Sequence, residues 1–396
     1  MTPRLFTNGT LILPDRLLDG FVLVRDGRIA DFGRGPGPRN AGEIIDLKGG
    51  YLSPGFVDLH VHGGAGADFM DGTTESFRTV CRAHAQHGTT SLLATSTVAR
   101  HDQILAFLRQ CRHFRAEYTG GARVLGAHFY GPYFAPNARG CHPAAALRPP
   151  EAPEFEEYLS YADCITRATV APELPHAEEF ARACVNRGIG VNAGHSHATF
   201  AQMESAIGWG VRHVDHLFCA MSDRAKLRQS QTYPMRGGVL EATLFFDELT
   251  TEVIADGKHL SAELLKLAYK VKGPDRLALV TDCNRALDMP DGEYVFGPLD
   301  GGENILRRDG VGLTADGQAL ASGVVGMGHM VGTFHRLTGV SLAETVRMAT
   351  LTPARLAGHD AEIGSIAVGK LADLVLLGAD LNVLEVFRSG EPATAR

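Results

Sequence analysis

The chain has 396 residues, of which 44% are hydrophobic and 21% charged, a composition typical of a soluble globular enzyme. Its formal net charge of −7 argues against nucleic acid or an anionic membrane as the main partner. No stretch approaches the ~20 apolar residues that span a bilayer, and the first residues lack the apolar core of a secretory signal. The 7 cysteines are scattered without a Cys-x-x-Cys pair, which favours reduced thiols in a cytoplasmic protein.

Both ends of the chain have the pattern of short strands separated by tight turns. Residues 5–9 and 21–29 contain Asn8-Gly9 and Asp26-Gly27, dipeptides that favour the type I′ turn of a β-hairpin. A similar pattern returns in residues 363–377. We therefore predict a small β-sandwich domain built from residues 1–52 and 360–396.

The middle of the chain, residues 53–359, alternates between short apolar runs and segments of helical spacing, as βα units require. The apolar runs predict eight strands, at residues 56–60, 91–95, 124–128, 168–171, 189–193, 213–216, 252–255 and 277–280. Eight such units predict an α/β fold, a TIM (β/α)8 barrel with its active site at the C-terminal strand ends. A doubly wound sheet is the alternative, but no Gly-x-Gly-x-x-Gly fingerprint follows the first strand.

Residues that can bind a metal or move a proton stand at most of the predicted strand ends. Side chains two apart on a strand point to the same side, so the His-x-His of the first strand can face the barrel mouth. A lone histidine after a strand is more often a satisfied polar residue, but five strand ends with histidine and a last one with aspartate make coincidence a poor explanation. In chain order these residues are His60, His62, His128, His195, His197, His216, His259 and Asp282.

The residue types indicate a metal-dependent hydrolase. Neutral imidazoles with one carboxylate suit a divalent ion, and a catalytic site keeps one position open for water. Zinc is favoured, although iron, manganese and cobalt accept the same ligands. Asp282 is the candidate base, which accepts a proton from water and later delivers it to a leaving amine. A second histidine, for which we nominate His216, can polarise the carbonyl.

An ordered set of motifs gives almost the whole chain a resemblance to a known family. The motifs lie at residues 53–64, 171–173, 194–196, 216–218, 255–259, 279–282, 320–323 and 364–373. The chain resembles the amidohydrolase superfamily and, within it, the N-acetylglucosamine-6-phosphate deacetylases. The resemblance implies that His195 and His216 bind metal, that Asp282 is catalytic and that His259 contacts substrate. Further substrate contacts are expected at Tyr130, His142, Cys219, Ala220 and Ser322.

Four segments depart from the family pattern. The third-strand motif His-Leu-Glu-Gly-Pro, whose Glu binds metal in the family, has Tyr130 in place of that Glu. Lys-Gly-Ala-His becomes Arg-Gly-Cys-His at residues 139–142, and the Asn after His-Leu-Phe becomes Cys219. The Arg-Glu-Pro-Gly segment, whose Arg reaches the sugar phosphate, is replaced by Tyr-Pro-Met-Arg-Gly at residues 233–237. Arg224, Arg228 and Arg236 either supply the missing charge or are solvated loop residues.

The loss of the third-strand Glu changes the expected metal site. A neutral phenol is a poor substitute for a carboxylate that bridges two cations. We therefore expect one metal rather than two. Its predicted ligands are His60, His62, His195 and Asp282, which leaves His216 as a proton shuttle or carbonyl polariser. A metal held by His195 and His216 alone would have too few ligands.

Three functions remain open from the sequence. The leading hypothesis is hydrolysis of an amide on a small polar molecule, most simply N-deacetylation of N-acetylglucosamine 6-phosphate or a related amino sugar. A second is a divergent amidohydrolase that acts as a deaminase, lactonase or N-acyl hydrolase. A third is an inactive relative that binds a sugar, for which Tyr130 is the best support. The resemblance also gives modest support for a homodimer.

Overall fold

The computed structural model describes residues 2–39, 41–115, 120–229 and 233–393. The strands are β1 (Arg4–Ile12), β2 (Leu17–Arg25), β3 (Arg28–Arg34), β4 (Glu43–Asp46), β5 (Tyr51–Pro54), β6 (Phe56–Val61), β7 (Gly63–Gly64), β8 (Ala67–Asp68), β9 (Thr89–Thr95), β10 (Arg123–Tyr130), β11 (Ile165–Val170), β12 (Gly190–Ala193), β13 (Val211–Val214), β14 (Thr250–Ile254), β15 (Leu277–Val280), β16 (Gly292–Phe296), β17 (Glu303–Arg308), β18 (Val311–Thr314), β19 (Leu374–Leu377), β20 (Val383–Arg388) and β21 (Glu391–Pro392).

The α-helices alternate with these strands through the middle of the chain. They are α1 (Thr74–Gln86), α2 (His101–Phe114), α3 (Ala152–Leu159), α4 (Ala177–Val185), α5 (Phe200–Trp209), α6 (Arg224–Leu227), α7 (Val239–Phe245), α8 (Ala262–Arg276), α9 (Met327–Thr338), α10 (Leu342–Ala349) and α11 (Leu351–Leu356). Among the described helices, none combines the length and the apolar character needed to cross a bilayer.

The barrel is the parallel sheet formed by β6 and β9–β15, whose strands lie side by side in chain order. Hydrogen bonds between the two ends of this sheet bring the last strand against the first. The backbone N–H of Asp282 donates to His60 O, and that of His62 donates to Cys283 O, both at 2.9 Å. All eight strands predicted from the apolar runs are present, and the predicted TIM barrel is confirmed.

The helices cover the barrel because each has one apolar face. In α1, Thr73 caps the N-terminus by accepting a hydrogen bond from the Ser76 N–H at 3.0 Å. One turn further on, Phe77 is buried against Phe69, with ring centroids 4.6 Å apart. Burying a side chain of this size contributes ~1.5–3 kcal/mol. The packed helices in turn hold the strand ends, where the candidate site residues lie, in fixed positions.

The strands of both termini form the second domain. They make one eight-stranded sheet in the order β21-β20-β19-β5-β1-β2-β3, with β4 paired to β1. The Asp26-Gly27 hairpin turn is confirmed, because Arg25 pairs with Arg28 and both turn residues have the left-handed φ of such a turn, 50° and 77°. The predicted domain built from both chain ends is therefore confirmed, while its boundaries at residues 1–52, 53–359 and 360–396 stay a prediction.

The hairpin turn predicted at Asn8-Gly9 is wrong. These residues lie inside β1, where the pairing register with β2 shifts between Phe6 and Gly9 and Asn8 adopts a φ of 62°. The first part of β1 pairs with β4 and the later part with β5. A Cβ atom on Gly9 would lie 2.6 Å from Gly50 O. The dipeptide therefore forms a bulge at a point where the chain segments approach closely.

A third sheet was not predicted. β16, β17 and β18 form an antiparallel sheet directly after the last barrel strand. Its strands are only partly buried and carry a mixed polar and apolar pattern, which gives a weak sequence signal. It brings Phe296 to the mouth of the barrel, together with Leu320 just beyond β18.

Candidate metal centre and active site

Four barrel strands deliver the predicted metal and catalytic residues to one place. His60 lies within β6, His195 follows β12, His216 follows β13 and Asp282 follows β15. All are buried. His195 and Asp282 have left-handed backbone angles, with φ of 46° and 49°. Such angles cost about 1–3 kcal/mol at a residue other than glycine, and they concentrate at functional sites.

His60, His62 and Asp282 form a close group of potential ligands at the barrel mouth. Their ligand atoms all lie within 4.8 Å of one another. Asp282 Oδ1 is 3.2 Å from His62 Nε2 and 3.5 Å from His60 Nε2. The His60 Nε2 atom is buried and has no hydrogen-bond partner among the described residues. A buried nitrogen without a partner is costly. A divalent cation bound between the two imidazoles and the carboxylate would remove that cost.

The charges of this group also suit a cation. Burial alone would raise the pKa of Asp282, but the facing His60, His62 and His216 hold it below its usual range. Burial alone would lower the pKa of His60, but the carboxylates of Asp282 and Glu252 outweigh it and raise that pKa to about 9. Two carboxylates therefore favour a positive charge at His60, which a bound cation can supply in place of the ring proton.

Sequence reasoning missed Glu252, which touches the metal group from inside the barrel. Its Oε1 is 2.7 Å from His60 Nδ1, and its Oε2 is 3.2 Å from His213 Nε2. The side chain is 1% exposed. The available signal was a lone glutamate in the middle of a buried strand, since ionised carboxylates are rarely buried without a partner.

Tyr130 and His216 form a second buried contact at the mouth. The Tyr130 hydroxyl oxygen is 2.6 Å from His216 Nε2. Burial raises the pKa of Tyr130 well above its usual range, so the phenol stays neutral. If the phenol donates, it occupies the lone pair of Nε2, and if the histidine donates, Nε2 carries a proton. In both cases His216 Nε2 is not free to bind a metal.

Comparison with known proteins places this arrangement in a family. The sequence model of the amidohydrolase family matches residues 51–393. The chain belongs to the amidohydrolase family.

The relatives of this amidohydrolase include several deacetylases. The N-acetylglucosamine-6-phosphate deacetylase of Vibrio furnissii is 32% identical over 374 residues, which cover 94% of this chain and 90% of the relative. The N-acetylgalactosamine-6-phosphate deacetylase of Escherichia coli O157:H7 is 32% identical over 87% of this chain and 88% of its own. A variant N-acetyl-D-glucosamine-6-phosphate deacetylase from Mycobacterium smegmatis, in complex with N-acetyl-D-glucosamine-6-phosphate, superposes with a TM-score of 0.90 and 29% identity over 100% of both chains. The expected family resemblance is confirmed.

A pocket of about 400 Å³ opens above the metal group. Every residue predicted to contact substrate lines it, and so do four of the five predicted metal or catalytic residues; the exception is His60, which is fully buried. The sequence-predicted residues in the lining are His62, Tyr130, His142, His195, His216, Cys219, Ala220, His259, Asp282 and Ser322. Sequence reasoning missed the apolar lining residues Phe218, Ile254, Leu260, Leu264, Phe296 and Leu320.

Some predicted candidates lie elsewhere. His195 lines the pocket but is outside the group whose ligand atoms lie within 4.8 Å, so its role as a metal ligand stays a prediction. His128 Nε2 is bonded to Thr169 Oγ1 at 2.8 Å, its buried Nδ1 has no hydrogen-bond partner among the described residues, and the side chain does not line the pocket. His197, which follows His195, also lies outside the lining.

The substitution His62→Ala should abolish tight metal binding, because it removes one of the three clustered ligands. We expect divalent-ion affinity to fall by at least about 100-fold, more than the loss expected for a residue that only supports a ligand. Metal analysis after dialysis and calorimetric titration with Zn²⁺ measure this. His197→Ala, outside the pocket, is the matched control and should bind normally. Undiminished binding by His62→Ala would show that the metal sits elsewhere.

Proposed function

We propose that this amidohydrolase removes the acetyl group from an N-acetylated amino sugar, N-acetylglucosamine 6-phosphate or a close relative of it, with one divalent metal ion. The observation that carries the proposal is the group of His60, His62 and Asp282 at the base of a pocket lined by further histidines. The deacetylase relatives, which align over nearly the whole chain, support the choice of substrate class.

The metal would be held by His60, His62 and Asp282, with Nε2 of His195 as a fourth donor. His195 Nδ1 is 2.7 Å from Ala138 O, a contact that requires the proton on Nδ1 and leaves Nε2 as the free nitrogen. When bound, a divalent ion supplies Lewis acidity, which makes water nucleophilic at neutral pH. Zinc is favoured for this donor set.

Asp282 is the proposed general base and acid. Its pKa lies below the usual range, so the carboxylate is ionised at neutral pH and can accept a proton from the attacking water. The same carboxyl group would then deliver that proton to the leaving amine. Hydrogen bonds to its backbone oxygen fix its position: the Gly323 N–H donates to Asp282 O at 2.8 Å, and Ser322 Oγ donates to the same oxygen.

His142 is the proposed donor to the substrate carbonyl, alongside the role expected for His216. The backbone N–H of Val98 donates to His142 Nδ1 at 3.2 Å, which fixes the ring proton on Nε2. Burial lowers the pKa of His142 well below its usual range, so the ring is neutral and still a donor. A fixed N–H directed at the carbonyl oxygen stabilises the negative charge that develops there.

Asp282→Asn should reduce kcat by about 10²–10⁴-fold, because the amide cannot accept the proton. The measurement is acetate release from N-acetylglucosamine 6-phosphate and from N-acetylglucosamine. Asp288→Asn is the matched control, since Asp288 bonds His87 away from the pocket and should leave kcat unchanged. An Asp282→Asn protein as active as the unmodified chain would disprove the proposed base. Wild-type protein without bound metal or acetate release would instead favour the inactive sugar-binding relative.

A single metal is proposed because the Tyr130 hydroxyl is hydrogen-bonded to His216 Nε2. Tyr130→Glu should release His216 Nε2 and add a carboxylate ligand, so metal content should rise from one to two ions per chain. Tyr130→Phe is the control, because it also frees His216 but adds no ligand, and it should stay at one ion. Elemental analysis of protein reconstituted with Zn²⁺ gives the stoichiometry. Two ions in the unmodified chain would contradict the single-metal proposal.

The described lining of the pocket offers no cation for a phosphate group, since none of its residues is Lys or Arg. Two other cations each donate to a backbone oxygen: Lys226 to Met221 O at 2.6 Å, and Arg139 to His142 O at 2.6 Å. Arg224, Arg228 and Arg236 are exposed and lie outside the lining.

The 6-phosphate should therefore raise kcat/KM by less than about tenfold over the unphosphorylated sugar. One hydrogen bond to a charged group contributes about 1.5–3 kcal/mol, which is tenfold or more, and the lining offers no Lys or Arg to make one. Parallel kinetics on N-acetylglucosamine with and without the phosphate give the ratio. A much larger preference that Lys226→Ala or Arg236→Ala removes would reveal a phosphate site at the rim.

A further inference from the structure

The carboxylate of Glu252 lies against the nitrogen of His60 that does not face Asp282. The 2.7 Å contact joins Glu252 Oε1 to His60 Nδ1, whereas His60 Nε2 is the atom 3.5 Å from Asp282. Glu252 belongs to β14 and His60 to β6, so residues 192 positions apart in the sequence meet in this contact. Nothing in the mechanism above uses it.

We propose that Glu252 is a positioning residue for the metal: it fixes the tautomer and the ring orientation of His60 and supplies the negative charge that the third strand lacks. This inference rests on the proposed metal placement at His60, His62 and Asp282. The family resemblance places a metal-binding carboxylate at position 130, here a tyrosine; Glu252 supplies negative charge close to the metal group without binding the metal itself.

Hydrogen-bond chemistry determines the tautomer. An ionised carboxylate has acceptors only, so His60 must donate from Nδ1, and a cation that displaces the other ring proton finds its lone pair on Nε2. The Nε2 atom is buried without a hydrogen-bond partner, as expected of a ligand atom. Histidine ligands commonly donate their other N–H to a carboxylate, which fixes the ring and makes it a stronger donor.

Glu252 is itself held in a fixed position. Its second oxygen, Oε2, lies 3.2 Å from His213 Nε2, and Thr250 Oγ1 lies 2.8 Å from His213 Nδ1. The glutamate side chain is 1% exposed, so solvent offers it no alternative partner. His60 therefore meets a rigid acceptor, and its ring cannot rotate without breaking the contact with Glu252.

A neighbouring carboxylate provides a natural control. Asp215 is also fully buried in the barrel, but it bonds Thr169 Oγ1 and Asn192 Nδ2, both at 2.7 Å, and no histidine ring. Removing its charge disturbs a buried polar network of the same depth and one of the carboxylates whose charge acts on His60, but it breaks no hydrogen bond to the His60 ring. A general role for buried negative charge predicts similar effects at Asp215 and Glu252, whereas the positioning role predicts a clearly larger effect at Glu252.

The test compares metal affinity in full-length Glu252→Gln, Glu252→Leu and Asp215→Asn proteins. Zn²⁺ affinity is measured by chelator competition, and the absorption spectrum of the Co²⁺ form reports ligand geometry. We expect about tenfold weaker binding for Glu252→Gln, which keeps an acceptor but loses the charge, and up to about 100-fold for Glu252→Leu. Asp215→Asn should bind within about threefold of wild type and give an unchanged Co²⁺ spectrum.

The outcomes separate this inference from the proposed function. Wild-type protein that binds no metal would overturn both. Metal binding in wild type with equal affinity in folded Glu252→Gln, or equal losses in Glu252→Gln and Asp215→Asn, would overturn the positioning role alone. If Glu252 variants fail to fold, ¹⁵N NMR of histidine-labelled, Zn²⁺-loaded wild type decides: a proton on His60 Nδ1 supports the role, and one on Nε2 overturns it.

Discussion

The structure depends on the closure of the barrel at its catalytic strand ends. The Asp282 N–H donates to His60 O and the His62 N–H to Cys283 O, each at 2.9 Å. These bonds bring the last strand against the first at the residues that carry the candidate ligands. A carboxylate and two imidazoles more than 200 positions apart in the sequence thereby share one small volume. The left-handed backbone at Asp282, with φ 49°, is maintained because the closing bond and the Gly323 N–H hold both of its peptide groups.

The buried charges follow from the same closure. Asp282 and Glu252 approach His60 from its two nitrogens, so one imidazole is placed between two carboxylates. The remaining site histidines are kept neutral by burial, which lowers the pKa of His142 and His195 well below the usual range. Neutral imidazoles keep a free lone pair or a directed N–H, and those are the two forms that metal binding and carbonyl polarisation require.

The sequence was most informative where short apolar runs marked strands and polar residues stood at the ends of those strands. The barrel strands could be predicted because each is a short, fully buried apolar run, and the site residues because parallel strands end at one rim. The role of Glu252 could not be predicted, since it depends on a contact with His60, 192 positions away in the sequence. Asn8-Gly9 is a dipeptide typical of a hairpin turn. Because β4 and β5 both pair with β1, these two residues instead form a bulge within β1. Long-range pairing overrode local turn preference there.

The antiparallel sheet β16–β18 leaves and rejoins the barrel at a single point. The Asn284 N–H donates to Gly323 O at 3.0 Å, and the Gly323 N–H donates to Asp282 O at 2.8 Å, so the two ends of the inserted sheet meet directly behind the catalytic carboxylate. Insertions anchored in this way can change length and composition without moving the barrel strands. The wall formed by Phe296 and Leu320 is therefore carried by a different segment from the residue that moves the proton. Substrate range and chemical step can evolve separately within one continuous segment of chain.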